Sequence, residues 1–281
     1  MKGEKRYIML FGLFKTKEEK KELRFLRALV RGQYKIFLDK DLIEHMLKKG
    51  FDINVQGYEG NTLLHWALLT KNDKMAEFLL KKGADASILN ALQHSPFYIA
   101  AKKGKVKLMD LMLARCSKIN IYSDSYNWTA LHMAVREGWT DTTRFLLRKN
   151  VNINARNGLG KTPTHLAASR YHTGVLQELL KANPDLNAQD SEGNTPLHDA
   201  AMADTVSFKT IKMLLANGAD PSIRNKAGLT PLQIAVNRQK MKKAEVLSNA
   251  EQKHFERDIP MMVQYPKPQY VTHQYVDYLS A

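Results

Sequence analysis

The sequence contains almost no cysteine. A single Cys, Cys116, is present among 281 residues, which excludes an internal disulfide and a metal site built from several cysteines. This usage is typical of proteins from reducing compartments. We therefore expect a cytoplasmic location, with the nucleus and delivery into a host cell as alternatives.

Long apolar runs are also missing, because no stretch approaches the roughly 18 residues that a membrane-spanning helix requires. The nearest is YIMLFGLF, from Tyr7 to Phe14, and it is followed by KTKEEKKE rather than by a small-residue cleavage site. We interpret residues 1–17 as a basic and apolar N-terminal tail. It is expected to pack on the first helix or to touch a membrane surface, not to direct export.

Acidic side chains are fewer than basic ones. The chain has 28 Asp and Glu against 43 Lys and Arg, which leaves a net charge of +15. This charge favours acidic partners, whether protein, nucleic acid or an anionic membrane surface, and does not choose among them. A basic surface that is merely solvated is an equally good interpretation.

The sequence is rich in internal repetition. Six related phrases begin at residues 62, 95, 129, 162, 195 and 230, namely TLLHWA, SPFYIA, TALHMA, TPTHLA, TPLHDA and TPLQIA. A second phrase keeps the same register, as Leu79-Leu80, Met112-Leu113, Leu146-Leu147, Leu179-Leu180 and Leu214-Leu215. Because two registers agree, the sequence predicts a stack of similar units, each of about 33 residues.

These phrases resemble the ankyrin repeat and its T-P-L-H-x-A signature. The resemblance implies an all-α solenoid of helix pairs with projecting β-hairpin loops. Thr195 is expected at an N-cap and Pro196 at the first helical position. The residue after each second helix should be left-handed, and five of six such positions from Gly50 to Gly218 are Gly or Asn, with Cys116 as the exception.

The ends of the array depart from the repeat. Residues 18–54 are interpreted as a diverged N-terminal capping repeat, and residues 55–250 as six ankyrin repeats, the last modified by Ser248 and Glu251 as a cap. Residues 251–281 hold three prolines and four tyrosines and are predicted to be a separate tail. This tail either lies extended or disordered on the last repeat or serves as a linear recognition or tyrosine-phosphorylation segment.

Two patterns suggest chemistry at first sight. Gly158-Leu159-Gly160-Lys161-Thr162 approaches a phosphate-binding loop, but Ala155 replaces the first glycine. The stretch is instead predicted to be part of a hairpin, since Gly60-Asn61, Gly193-Asn194 and Gly228-Leu229 match it in three other units. His65, His132, His165 and His198 share one repeat position, yet units about 10 Å apart cannot share one zinc ion. The resemblance implies a structural hydrogen-bonding role for these histidines. We expect no enzyme activity, cofactor or metal.

The resemblance implies that proteins bind at the hairpin tips and at the exposed ends of the first helices, along a concave surface. The predicted partner-binding residues are Leu92, His94, Lys102, Lys103, Tyr126, Trp128, Arg136, Leu159, Lys161, Arg170 and Arg238. Aromatic anchors beside cations favour a noncatalytic scaffold for an acidic, partly apolar segment. The alternatives are a charge-driven binder of nucleic acid or anionic membrane, a microbial effector acting on host proteins, or ordinary surface variation.

Overall fold

The computed structural model describes residues 17–32, 39–114, 126–170, 172–204 and 208–258. These residues form fourteen α-helices and, within these ranges, no β-strand. The helices are α1 (Lys17–Arg31), α2 (Lys40–Lys48), α3 (Leu63–Leu69), α4 (Asp73–Lys81), α5 (Pro96–Lys102), α6 (Val106–Leu113), α7 (Ala130–Arg136), α8 (Thr140–Arg148), α9 (Pro163–Ala168), α10 (Thr173–Lys181), α11 (Pro196–Met202), α12 (Phe208–Ala216), α13 (Pro231–Asn237) and α14 (Met241–Asp258). Cys116 and most of both predicted tails lie outside the described residues.

The first helix of each repeat begins where the signature phrase predicts. Thr195 is the N-cap of α11 and Pro196 its first helical residue, which confirms the prediction. Ser95 caps α5 in the same way, and its Oγ accepts the backbone N–H of Tyr98 at 3.1 Å. A side-chain oxygen at this position satisfies one of the otherwise unpaired N–H groups of the first turn.

Five second helices are each followed by a left-handed residue, as predicted, and the remaining position, Cys116, lies outside the described residues. The φ angles are +82° at Gly50, +99° at Gly83, +55° at Asn150, +49° at Asn183 and +97° at Gly218. Glycine adopts this conformation without steric cost, and asparagine tolerates it better than most residues. These residues therefore end the helices and return the chain to the next turn.

The helix pairs stack side by side around one continuous core. Consecutive first helices pack on one another, as do consecutive second helices. Alanines allow the first helices to approach closely, and Ala100, Ala134, Ala168 and Ala201 are fully buried. The apolar cluster runs from Phe25 in α1 to Leu247 in α14.

Each end of the stack has a modified unit. At the N-terminal end, Glu22 of α1 accepts from Lys49 Nζ at 2.5 Å and lies 2.8 Å from His45 Nε2, which fixes α1 on the unit formed with α2. At the C-terminal end, α14 runs to Asp258, past the predicted tail boundary at residue 250. Glu251 stands where a glycine would end the helix, and α14 continues through it. Among the described residues, no helix combines the length and apolar character needed to cross a membrane.

Candidate partner-binding surface

Four histidines each tie the start of a first helix to the turn of the following repeat. The Nδ1 atom of His165 accepts the backbone N–H of Thr162 at 3.1 Å, and Nε2 donates to a backbone carbonyl one repeat later. This second bond runs from His65 to the carbonyl of His94, from His132 to that of Lys161, from His165 to that of Asn194, and from His198 to that of Leu229. The distances are 2.9–3.0 Å. This geometry requires a neutral ring protonated at Nε2.

Burial of these rings favours the neutral form. It lowers the pKa of His65 and of His165 to about 4, and it also lowers the pKa of His198. A ring that stays neutral at physiological pH keeps both hydrogen bonds. The position of each turn is therefore fixed relative to the helix before it.

The turns form a regular column. Five of them are closed by a backbone bond between the first and fifth residues, as from Asn157 N to Lys161 O at 3.0 Å. The second residue of a turn donates to the third residue of the preceding turn, as from Ser191 N to Leu159 O at 3.0 Å. We call these third residues the tip column, which comprises Glu59, Leu92, Tyr126, Leu159, Glu192 and Ala227.

Three consecutive members of the tip column are apolar or aromatic and point to solvent. Leu92 is 62% exposed, Tyr126 61% and Leu159 54%. The turn that carries Leu159 packs closely on its neighbours because Gly158 and Gly160 flank it. A Cβ at Gly160, whose φ is +70°, would lie 2.8 Å from the backbone nitrogen of the next turn.

Trp128 and Arg136 form a pair beside this column. The guanidinium carbon of Arg136 lies 5.3 Å from the centroid of the Trp128 ring, within cation–π distance. The ring also contacts His132 edge-on, at 5.8 Å between centroids. Trp128 is half-buried and Arg136 is exposed, so a cation is held in place above an aromatic surface.

Basic side chains cluster at the opposite ends of the first helices. We call these residues the cation row, which comprises Lys102, Lys103, Arg136, Arg170 and Arg238. Burial, and after it repulsion from Lys71, Lys102 and Lys105, lowers the pKa of Lys103. Positive charges are thus crowded around the end of α5.

Two predicted partner-binding residues are engaged within the array. Lys161 Nζ lies 2.6 Å from Asp199 Oδ2 and 3.1 Å from Asp190 Oδ2, and the attraction of these carboxylates raises its pKa against the opposing effect of burial. The ring of His94 stacks on Tyr98 at 4.6 Å. Because the ammonium of Lys161 is already neutralised, we leave Lys161 out of the proposed partner contacts.

Lys161 occupies a position that elsewhere links turns through amides. Asn61 accepts from Asn90 Nδ2 at 2.8 Å, and Asn194 accepts from Asn225 Nδ2 at 2.9 Å. The ion pair with Asp190 is the charged equivalent of these links. The lysine that suggested a phosphate-binding loop therefore holds neighbouring repeats together.

Comparison with known protein families agrees with this architecture. Residues 82–157 and 141–225 match the family profile described as "Ankyrin repeats (3 copies)", and residues 59–91 match "Ankyrin repeat". The chain belongs to the ankyrin-repeat family. The matched residues include most of the ankyrin array, from α3 to α12.

Three similar proteins illustrate how far the likeness extends. The I-Kappa-B like protein C2 of Microplitis demolitor bracovirus is 39% identical over 83 residues, which are 27% of this chain and 46% of the relative. The Nuclear factor NF-kappa-B p105 subunit of Gallus gallus is 32% identical over 123 residues, 42% of this chain and 12% of the relative. The Transient receptor potential cation channel subfamily A member 1 homolog of Caenorhabditis elegans is 32% identical over 103 residues, 37% of this chain and 8% of the relative. The chain thus spans less than half the length of each.

Trp139 was not predicted from the sequence as part of this surface. It lies next to the cation row, where its Nε1 donates to the backbone carbonyl of Lys102 at 3.0 Å. Its ring covers Gly104, at which a Cβ would approach the indole to 2.8 Å. Gly138 and His172 repeat this arrangement one unit later. A glycine at this position, paired with an aromatic residue in the next repeat, is the sequence pattern that could have indicated the place of Trp139.

Proposed function

We propose that the ankyrin array is a noncatalytic interaction module, or scaffold, that holds an acidic and partly apolar segment of a protein partner. The segment lies between the tip column and the cation row. The pair formed by Trp128 and Arg136 carries this proposal, because it presents a cation that is already ordered on an aromatic surface. Tryptophan and arginine contribute much of the binding energy at protein interfaces, since they bury large areas at a small entropic cost.

Charge on the two sides of the array supports an acidic partner. On the second helices, cations pair with carboxylates of neighbouring units, as Arg144 does with Glu178 at 3.0 Å and Lys149 with Asp110 at 3.4 Å. In the cation row, Arg136 Nε lies 3.9 Å from Glu137 Oε1, but no carboxylate among the described residues lies within 4.0 Å of the side-chain nitrogens of Lys102 or Arg170. An acidic partner would relieve the repulsion around Lys103.

The apolar part of the partner would contact the exposed tips. Leu92, Tyr126 and Leu159 occupy the same position in three consecutive turns. Histidines tie the turns of Leu92 and Leu159 to the helices before them, and a backbone hydrogen bond joins the turns of Tyr126 and Leu159. An apolar row next to a basic row fits a segment with one apolar and one acidic side. The cytoplasm remains the predicted location of such a complex.

The test is a paired substitution at the proposed site. Peptides are selected from a displayed library of random 20-residue sequences on the full chain, and their affinities are measured by fluorescence anisotropy. The variant with both Trp128→Ala and Arg136→Ala should bind at least about 30-fold more weakly, which is the effect expected when one interface hot spot is lost. Arg144→Ala with Lys149→Ala, on the second helices, is the matched control and should leave affinity unchanged. Equal loss in both variants, or loss in neither, would exclude the site.

The net charge of +15 favours a second candidate, a binder of nucleic acid or anionic membrane. The affinity for a DNA duplex is measured at two salt concentrations. If only charge acts, affinity should fall on the order of a thousandfold between about 50 and 200 mM salt and should not depend on Trp128. A duplex complex that persists at the higher salt and requires Trp128 would favour this candidate over the protein partner.

A further inference from the structure

The width of the proposed surface is set by the first helices. α5 and α7 have seven residues each and α9 has six, so each is about 10 Å long. The turns lie at the N-terminal ends of these helices, and Lys102 and Arg170 lie at their C-terminal ends, whereas the guanidinium of Arg136 reaches back over Trp128. A partner that contacts both rows must therefore span about 10 Å, which is the diameter of an α-helix with its side chains. An extended chain occupies about half this width.

The spacing along the stack points to the same shape. Neighbouring packed helices lie about 8–10 Å apart, so the tips of successive repeats are separated by about that distance. In an α-helix, residues seven apart are about 10.5 Å apart along the axis and lie on nearly the same face. Three residues at this interval on a partner helix would therefore face Leu92, Tyr126 and Leu159.

The charges of the tip column limit the apolar contact to three repeats. Glu59 precedes Leu92 in this column and Glu192 follows Leu159, and both glutamates are exposed. A partner helix longer than three repeats would meet a carboxylate at either end of its apolar face. Basic residues at the two ends of the partner helix would complement Glu59 and Glu192.

We infer that the partner segment is an α-helix that lies along the stack, across α5, α7 and α9, with apolar residues at seven-residue intervals on the tips and acidic residues facing the cation row. This inference rests on the proposed function. The helix crosses the first helices nearly at right angles. Its apolar face contacts Leu92, Tyr126 and Leu159, and its acidic flank contacts Lys102, Arg136 and Arg170.

The test uses the peptides selected on the full chain. Those that lose affinity for the variant with Trp128→Ala and Arg136→Ala should share apolar residues at seven-residue intervals and acidic residues on another face. Proline placed at the centre of such a peptide should weaken binding at least tenfold, because it breaks the helix. Leu92→Ser, Tyr126→Ser and Leu159→Ser together should weaken binding at least tenfold, whereas Leu111→Ser on the outer side of α6 should not.

The outcomes separate the inference from the proposed function. Peptides that require Trp128 and Arg136, but tolerate the central proline or carry apolar residues at another interval, overturn the helix and leave the interaction module intact. Peptides that bind the variant as well as the original chain, or a library that yields no binder, overturn both. Circular dichroism of each variant shows that the array remains folded during these measurements.

Discussion

Nε2 of His165 lies 2.9 Å from the backbone carbonyl oxygen of Asn194, in the turn of the following repeat. The same ring accepts the N–H of Thr162 through Nδ1, so one side chain both caps a helix and joins two repeats. In the last signature phrase Gln233 takes this position, and its Oε1 accepts the N–H of Thr230 at 2.9 Å. The capping function is thus kept in the last repeat, which consists of α13 and α14.

His165→Asn is expected to destabilise the array by about 0.5–1.5 kcal/mol, the net contribution of one hydrogen bond. Asparagine can keep an acceptor near the position of Nδ1 but cannot reach the carbonyl of Asn194, which then keeps only the N–H of Asp190 as its donor. The measurement is urea unfolding followed by circular dichroism. Gln233→Asn is the control and should cost less, since no following turn depends on it. A similar loss at both positions would show that the bond between repeats contributes little.

Stability should rise with pH between about 4 and 6.5. The pKa values of His65 and His165 are about 4 in the folded chain, against 6.5 for a free imidazole. Between these two pH values the unfolded chain therefore binds more protons than the folded chain, and a lower pH favours unfolding. Each histidine contributes up to about 3 kcal/mol above this window, and the contribution is lost as pH falls through it. Burial raises the pKa of Asp199 to about 6, which acts in the opposite direction and cancels part of the effect.

Urea unfolding across this pH range checks the sign. The free energy of unfolding should increase with pH in the original chain and increase less when His65→Asn and His165→Asn are combined. Asp199→Asn should make the increase steeper, because it removes the opposing titration. A free energy of unfolding that is the same at both ends of the range would contradict the neutral, buried histidines.

The start and end of most helices could be predicted because each has a local cause. Thr195 and Pro196 begin a helix through their own backbone and side-chain properties, and Gly50 and Asn150 end helices in the same way. The partners of Lys161 could not be predicted, since Asp199 lies 38 residues away and approaches only when two repeats stack. Charge pairs across repeats depend on the stacking geometry, which the repeat phrase does not encode.

The candidate site was predicted in part. The exposure of Leu92, Tyr126 and Leu159 was expected from their place in the turns, and the structure places all three in one column. The cation–π contact between Trp128 and Arg136 depends on a side chain that folds back along α7, toward its N-terminus. Sequence spacing alone did not reveal this contact, nor the position of Trp139 over Gly104.

Lys161→Met is expected to destabilise the array by about 3–5 kcal/mol, because it leaves two buried carboxylates without a counter-charge. Asp199→Asn should cost much less, since Asp190 still pairs with Lys161 and a neutral amide is easier to bury than a carboxylate. Both variants are compared by urea unfolding. A smaller loss for Lys161→Met than for Asp199→Asn would show that Lys161 does not hold these repeats together.

Lys243 of α14 is buried, with only 6% of its surface exposed, and it caps the C-terminal end of α11 in the preceding repeat. Its ammonium donates to the carbonyl of Ala200 at 2.9 Å and to that of Ala203, at an end where Ala203 is extended rather than left-handed. Burial lowers the pKa of Lys243, so keeping its charge inside the array costs free energy.

Lys243→Met should destabilise the array by about 1–3 kcal/mol in urea unfolding. The substitution removes the cost of burying the ammonium, but it leaves two carbonyls without their donor, and we expect the second effect to be larger. Lys242→Met, at an exposed neighbour, should change stability by less than about 0.5 kcal/mol. Higher stability of Lys243→Met would mean that burying the ammonium costs more than its two hydrogen bonds return.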